Sequence, residues 1–375
     1  MPALIGRVLS DGVEWPLARI EIEAGRIVAF DRPDSSKGAD VVVEDGWIAP
    51  GLVDLQVNGA GGVDLTSADR PDAAVAEVAR ILVRHGVTAF CPTIVTSPPE
   101  VILERLPALA PKTHPGGAAS LGAHVEGPFI SPRTPGVHDP GAIRPPSLAE
   151  IERWLAAGRP AIVTLAPEVP GAAEAIARLR AAGVVVSLGH SAADAAQARA
   201  GLAAGASMGT HLFNAMPPLH HRAPGLVGAL LNGPATIGLL ADGVHVDPLA
   251  AELVIRAAGV GRVALVSDAI AAAAAPPGPV RLGGQTVLSD GVSVRRADGT
   301  LAGSAAMLDL GLRNVRAWCP WLSRARVVEM ATATPAGALG RRARVDLDEP
   351  ADLVVLDRDW TVVATLVGGE IVYRR

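Results

Sequence analysis

The stretch 208–222 reads Met-Gly-Thr-His-Leu-Phe-Asn-Ala-Met-Pro-Pro-Leu-His-His-Arg, an imidazole, a carboxamide and a guanidinium in one turn-rich segment. His211 is a candidate metal ligand, Asn214 and Ala215 candidates to line a pocket, and Arg222 a candidate to hold an anionic group. Glu126 and His190 extend the set. With His211 they make a two-His, one-carboxylate group, which suits a catalytic Zn²⁺ with an open position for water. Mn²⁺ and Fe²⁺ suit the same ligand types. Each residue taken singly could also be a buried, hydrogen-bonded polar group; the coincidence of three points to a metal. Asp268 is the candidate base. Metal-bound water has a lowered pKa, and a carboxylate opposite can take its proton and pass it to a leaving amine. The alternative for Asp268 is a helix cap at a strand end.

His124 lies two residues before Glu126 and so shares its strand face. It reads as a support for the ligands before it reads as a ligand. His245 and His138 are candidates for orienting a substrate carbonyl or hydroxyl. His85, His114 and His220 read as structural, in a helix, a Pro/Gly loop and a solvated doublet. The turn Leu301-Ala302-Gly303-Ser304 could present backbone groups to a ligand.

These residues must be positioned by the elements that precede them. Apolar strand candidates fall at 51–57, 87–95, 120–126, 161–166, 184–189, 206–211, 236–241 and 263–267. Helical spacing of apolar residues separates most of them, at 72–85, 149–157, 172–182, 192–204 and 248–258, with further helices at 306–318 and 323–332. Eight strands alternating with helices predict an α/β fold with a closed parallel (β/α)8 barrel. An open doubly wound sheet is the alternative, but no Gly-x-Gly-x-x-Gly turn follows the first strand. In such a barrel, catalytic groups sit at the C-terminal strand ends. Those ends carry Asp54, Gln56 and Asn58, then His124 and Glu126, His190, His211, Asp242 and His245, and Asp268. Carboxylates and imidazoles converging on one rim are costly unless paired or metal-bound.

Residues 276–300 interrupt the rhythm as a β-hairpin insertion. Residues 1–46 and 345–375 read as short strands with turns, including Gly368-Gly369. A lone hairpin is marginally stable, so the two ends are expected to close into one small β-sandwich domain. That leaves 47–344 for the barrel.

The chain has 375 residues, 49% of them hydrophobic, enough for a large core beside a small domain. A net charge of -5 argues against nucleic-acid affinity, which needs a basic face. No apolar run reaches the roughly 18–20 residues of a membrane span, and Pro276-Pro277 ends the alanine-rich run 269–275. Arg7, Asp11 and Glu14 fall where a signal peptide needs an apolar core. Two cysteines, Cys91 and Cys319, make no disulfide or metal pattern, which suits a reducing cytoplasm. The only lysines are Lys37 and Lys112, neither in an expected core strand, which disfavours Schiff-base chemistry and a dinuclear site bridged by a modified lysine.

In order along the chain stand Gly51-Leu52-Val53-Asp54-Leu55-Gln56-Val57-Asn58-Gly59, His124-Val125-Glu126-Gly127-Pro128 and Leu188-Gly189-His190-Ser191. They are followed by His211-Leu212-Phe213-Asn214-Ala215-Met216, Asp242-Gly243-Val244-His245, Ser267-Asp268-Ala269 and Leu301-Ala302-Gly303-Ser304. With these motifs the chain resembles the N-acetylglucosamine-6-phosphate deacetylase family of the amidohydrolase superfamily. The resemblance implies a distorted (β/α)8 barrel with a terminal β-sandwich, a homodimer, and hydrolysis of N-acetyl-D-glucosamine 6-phosphate to D-glucosamine 6-phosphate and acetate. It implies Glu126, His190 and His211 as metal ligands and Asp268 as the catalytic acid/base. It implies substrate contacts at Val137, His138, Asn214, Ala215, Asp242, Gly243, Val244, His245, Leu301, Ala302, Gly303 and Ser304. Arg222 matches a phosphate-binding arginine that reaches into the neighbouring subunit's site.

Two departures matter. Many superfamily members carry His-x-His after strand one, feeding a second metal; here it is Gln56-Val57-Asn58. Neutral amides are poor ligands, so one divalent metal per subunit is expected, Zn²⁺ first, with Fe²⁺, Mn²⁺ or Co²⁺ as alternatives. After Asp268 come Ile270 and a run of alanines, without the polar residues often seen there. A deacetylase of another N-acyl substrate, such as N-acetylgalactosamine 6-phosphate or an N-acyl amino acid, is therefore a second reading. A non-catalytic barrel is a third. It predicts erosion of the ligands or of Asp268, and all are intact.

Overall fold

The computed structural model describes residues 2–33 and 38–375. Lys37 lies outside them. Eight parallel strands form the centre: β1 (Leu52–Val57), β2 (Val87–Val95), β3 (His124–Glu126), β4 (Ile162–Leu165), β5 (Val185–Leu188), β6 (Met208–Gly209), β7 (Thr236–Leu239) and β8 (Val263–Leu265). They neighbour one another in chain order. The gap between β8 and β1 is spanned by a parallel bridge from Ala269 to Val57, with the Asn58 N–H donating to the Ala269 carbonyl at 2.7 Å. The barrel therefore closes through the residue that follows Asp268. Both faces of these strands are covered, so they read as continuous apolar runs and not as alternating ones.

Several strands are shorter than their apolar runs predict. β6 is only Met208–Gly209, where 206–211 was expected, and β3 is only His124–Glu126, where 120–126 was expected. Of the second run, Ser120 belongs instead to the two-residue strand Ala119–Ser120, which pairs beside β2. The backbone leaves strand geometry just before the chemical residues, as positive φ at His190 (47°) and His211 (27°) shows.

Helices cover the outside. Pro71–Leu82 opens with Pro in its first turn and buries Val75, Val78, Ala79 and Leu82, spaced as one helical face. The expected 192–204 helix begins later, at Ala195, because Asp194 and Gln197 form a capping box there. The expected 323–332 helix is shorter, Arg324–Glu329, and a further helix, Ala333–Ala338, follows beyond the expected range. The insertion is larger than one hairpin. Gly278–Leu282, Gln285–Ser289, Ser293–Arg295 and Leu301–Ser304 make a four-stranded antiparallel sheet. It docks on the barrel through an Ala269–Ser304 bridge, and Gln285 Nε2 donates to the Val137 carbonyl at 2.9 Å.

Both ends of the chain build one seven-stranded sheet. Val41–Pro50 joins them, pairing parallel with Ala3–Ser10 and antiparallel with Leu353–Leu356. The segment leading into Leu353–Leu356 crosses to the N-terminal strands, as the Ile27 N–H donates to the Glu349 carbonyl at 3.1 Å. Ile20, Ile22 and Ile27 thus share a core with Leu353, Val355 and Leu366, a β-sandwich beside the barrel. Among the described residues no helix is long and apolar enough to cross a membrane.

Candidate active site

Glu126 is the last residue of β3, while His190 and His211 lie two residues past β5 and β6. The fold brings all three together, each at least 96% buried. Glu126 Oε1 is 3.2 Å from His190 Nε2 and 3.0 Å from His211 Nε2, and the two ring nitrogens are 3.1 Å apart. Ligands about 2.0–2.1 Å from a tetrahedral ion would lie about 3.3 Å from one another. The triangle therefore fits one divalent cation. His190, His211 and Asp268 all have positive φ (47°, 27° and 49°). Such conformations cost on the order of 1–3 kcal/mol each and gather at functional sites.

A fourth group competes for the same place. The ligand atoms of Glu126, His138 and His190 also lie within 4.8 Å of one another. Tautomers separate the two sets. The Thr96 backbone N–H donates to His138 Nδ1 at 3.2 Å, and the Thr96 hydroxyl lies 2.6 Å from the same nitrogen; with Nδ1 accepting both, the His138 proton sits on Nε2, a donor and not a ligand. Burial and the neighbouring His190 push the His138 ring down to about 3, so it is neutral. His190 is arranged the other way. Its Nδ1 donates to the Thr134 carbonyl at 3.3 Å, which frees Nε2 to ligate. His138 Nε2 is 3.8 Å from Glu126 Oε2. His124 spends both nitrogens elsewhere, on the Leu55 carbonyl at 2.9 Å and the Thr164 hydroxyl at 2.7 Å.

Asp268 faces this centre through an amide. Gln56 Nε2 donates to Asp268 Oδ1 at 2.9 Å and to Glu126 Oε1 at 3.0 Å, and Asn58 Nδ2 adds a bond to Asp268 Oδ1 at 2.7 Å. The amide nitrogen thus stands between the two carboxylates. Burial and the nearby Glu126 charge raise the Asp268 carboxyl to about 7. Burial works the same way on Glu126, but hydrogen bonds from His190 and His211 outweigh it and hold the carboxyl well below its usual range. Two adjacent carboxylates driven apart in this way suit one to hold a cation and the other to move a proton.

A cavity of about 280 Å³ opens over the centre. Of the expected substrate residues, Val137, His138, Asn214, Ala215, His245, Leu301 and Gly303 line it. Asp242, Gly243, Val244, Ala302 and Ser304 do not; Ala302 and Ser304 are buried, and Asp242 is turned toward His245. Arg222 is exposed on a loop outside the lining, its guanidinium 2.7 Å from His221 Nε2. No Arg or Lys lines the cavity among the described residues. Sequence reasoning missed Val95, Gly136, Leu282 and Thr300 in the lining, and Gln56 as a partner of Asp268. The polar Gln56 and Asn58 at a strand end were the available signal for the last. Gly303 admits no side chain: with φ at +62°, a Cβ would stand 2.4 Å from Ile270 Cγ2.

The Amidohydrolase family profile matches residues 47–372. The human N-acetylglucosamine-6-phosphate deacetylase is 42% identical over 343 residues, 87% of this chain and 83% of that one. The Bacillus subtilis (strain 168) protein of the same name is 34% identical over 94% of this chain and 92% of its own. A mutant N-acetyl-D-glucosamine-6-phosphate deacetylase from Mycobacterium smegmatis, solved in complex with N-acetyl-D-glucosamine-6-phosphate, superposes with a TM-score of 0.92 at 36% identity, covering 99% of each chain. The chain belongs to the amidohydrolase family, among its N-acetylglucosamine-6-phosphate deacetylases.

Proposed function

We propose that the chain hydrolyses the acetamide of N-acetyl-D-glucosamine 6-phosphate, releasing D-glucosamine 6-phosphate and acetate, with one divalent ion per subunit. The observation that carries this reading is the convergence of Glu126, His190 and His211 on one point, with Asp268 joined to them through Gln56. The relatives' shared name supplies the substrate.

Glu126, His190 and His211 would hold the ion, Zn²⁺ or another cation of similar ligand preference. When bound, it supplies Lewis-acid chemistry and a water of lowered pKa. Asp268 takes a proton from the attacking water. Its Oδ1 already accepts from Gln56 and Asn58, so the proton goes to Oδ2. The same carboxyl then delivers it to the departing amine. His138 aims its Nε2–H at the amide oxygen as charge builds there. His245, Asn214, Ala215, Leu301 and Gly303 surround the sugar.

Among the described residues, the cavity of one chain is lined by no Arg or Lys that could meet a phosphate. That supports a homodimer in which Arg222 of the partner subunit completes the site. Cys91 and Cys319 are free and buried, which supports work in a reducing cytoplasm.

The test is acetate release from N-acetylglucosamine 6-phosphate by metal-stripped and metal-restored protein. Release that disappears on stripping and returns with Zn²⁺ is expected. No release with any divalent ion, or equal release from the stripped protein, would overturn the reading.

A further inference from the structure

We propose that Asp242 is a positioning residue that keeps the His245 proton on Nδ1, so that Nε2 presents a lone pair to a hydroxyl of the bound sugar. This rests on the function proposed above.

Asp242 does not touch the cavity, and its four acceptor positions are filled from within the protein. Oδ1 accepts the backbone N–H groups of Val244 and His245, both at 2.9 Å. Oδ2 accepts from His245 Nδ1 at 2.7 Å and from the Ser304 hydroxyl at 2.9 Å. An ionised carboxylate has about four acceptor sites and no donor, so no capacity remains for a ligand. Burial opposes the charge on Asp242, but the His245 ring and the two backbone amides hold its carboxyl down to about 2.

The consequence falls on His245. A carboxylate can only accept, so the ring nitrogen facing it must carry the hydrogen. His245 Nε2 has no hydrogen-bond partner among the described residues, and its ring lines the same cavity as Asp268. Ser304 fixes the arrangement from the far side. Its backbone N–H donates to the Asp268 carbonyl at 2.9 Å while its hydroxyl holds Asp242. The turn after β7, the last strand of the insertion and the peptide of Asp268 are thereby locked together. Sugar recognition and the proton-moving carboxyl share one frame.

Asp242→Asn separates the two oxygens: Oδ1 serves the two backbone donors, while Oδ2 serves His245 Nδ1 and the Ser304 hydroxyl. The amide keeps Oδ1 for the two backbone donors and so keeps the turn. It replaces Oδ2 with an NH₂ group, which can only donate; the Ser304 hydroxyl can turn to accept from it, whereas the His245 ring cannot keep its Nδ1 proton. His245 Nδ1 must then accept, its proton moves to Nε2, and the ring meets the sugar with a donor in place of an acceptor.

Zn²⁺-loaded protein with ¹⁵N-labelled histidine reads this directly. The native His245 is expected to show a protonated Nδ1 and an unprotonated Nε2, and Asp242→Asn the reverse. KM for N-acetylglucosamine 6-phosphate should rise on the order of 10–100-fold in Asp242→Asn, the scale of one mismatched buried hydrogen bond, with a smaller change in kcat. In a His245→Ala background the Asp242→Asn change should add less than about twofold, since coupled residues are not additive. An unprotonated Nδ1 in the native protein, or an undiminished Asp242→Asn effect without the His245 ring, would overturn the proposal. Should the native protein release no acetate, the functional reading falls, while the nitrogen assignments still decide whether Asp242 sets the tautomer.

Discussion

The side-chain nitrogen of Gln56 donates to Oδ1 of Asp268 at 2.9 Å, and it reaches Oε1 of Glu126 at 3.0 Å. One neutral amide thus separates a candidate metal ligand from a candidate proton carrier. Gln56→Leu removes both bonds and leaves the two carboxylates without a donor between them. Turnover is expected to fall about 10–100-fold, as for other groups that orient ligands. Steady-state kinetics at saturating metal check this, and an unchanged kcat would remove Gln56 from the mechanism.

Asp268→Asn keeps the shape of the side chain and abolishes proton transfer. The expected loss is on the order of 10²–10⁴ in kcat. Metal content should be unchanged, because Glu126, His190 and His211 hold the ion without Asp268. Near-normal turnover in this variant would refute the role.

Arg222 is exposed and outside the cavity of its own chain. Arg222→Ala should raise KM for the phosphorylated sugar by 10-fold or more, about the value of one charged hydrogen bond. KM for the unphosphorylated sugar should barely change. Equal effects on the two would separate Arg222 from phosphate recognition.

Asp54 lies under the site, fully buried, and burial raises its carboxyl from the ordinary 3.8 to about 6. The folded protein therefore holds a proton there that the unfolded chain has lost. Its stabilising effect is complete below about pH 4 and disappears as the pH rises through 6, a change on the order of 3 kcal/mol. Asp54→Asn should remove that dependence. Denaturant unfolding of both proteins at pH 4 and pH 7 gives the difference, and native stability that rises relative to the variant over that range would contradict the sign.

The strand-end logic made most of the site legible in the sequence. Glu126, His190, His211 and Asp268 each end an apolar run, and a parallel barrel puts such ends on one rim. What stayed hidden depends on contacts between distant segments. Leu282 and Thr300 enter the cavity from the insertion, whose placement follows from bonds such as Gln285 to Val137, 148 residues apart. Gln56 read as a missing ligand; only the folded geometry shows it as a donor. The helix Gly225–Asn232 escaped notice for a different reason. Gly225 and Gly228 weaken its local preference, and its apolar residues Leu226, Val227, Ala229 and Leu230 are buried all round, leaving no polar face to mark the period.

The central claim is that three side chains hold one ion and that turnover depends on it. Titrating metal-stripped protein with Zn²⁺ while reading bound metal and acetate release in the same samples tests it most directly. The account predicts turnover rising in proportion to bound ion and levelling at one per chain. Turnover that levels only at two tightly held ions per chain, or that proceeds with none bound, would contradict it.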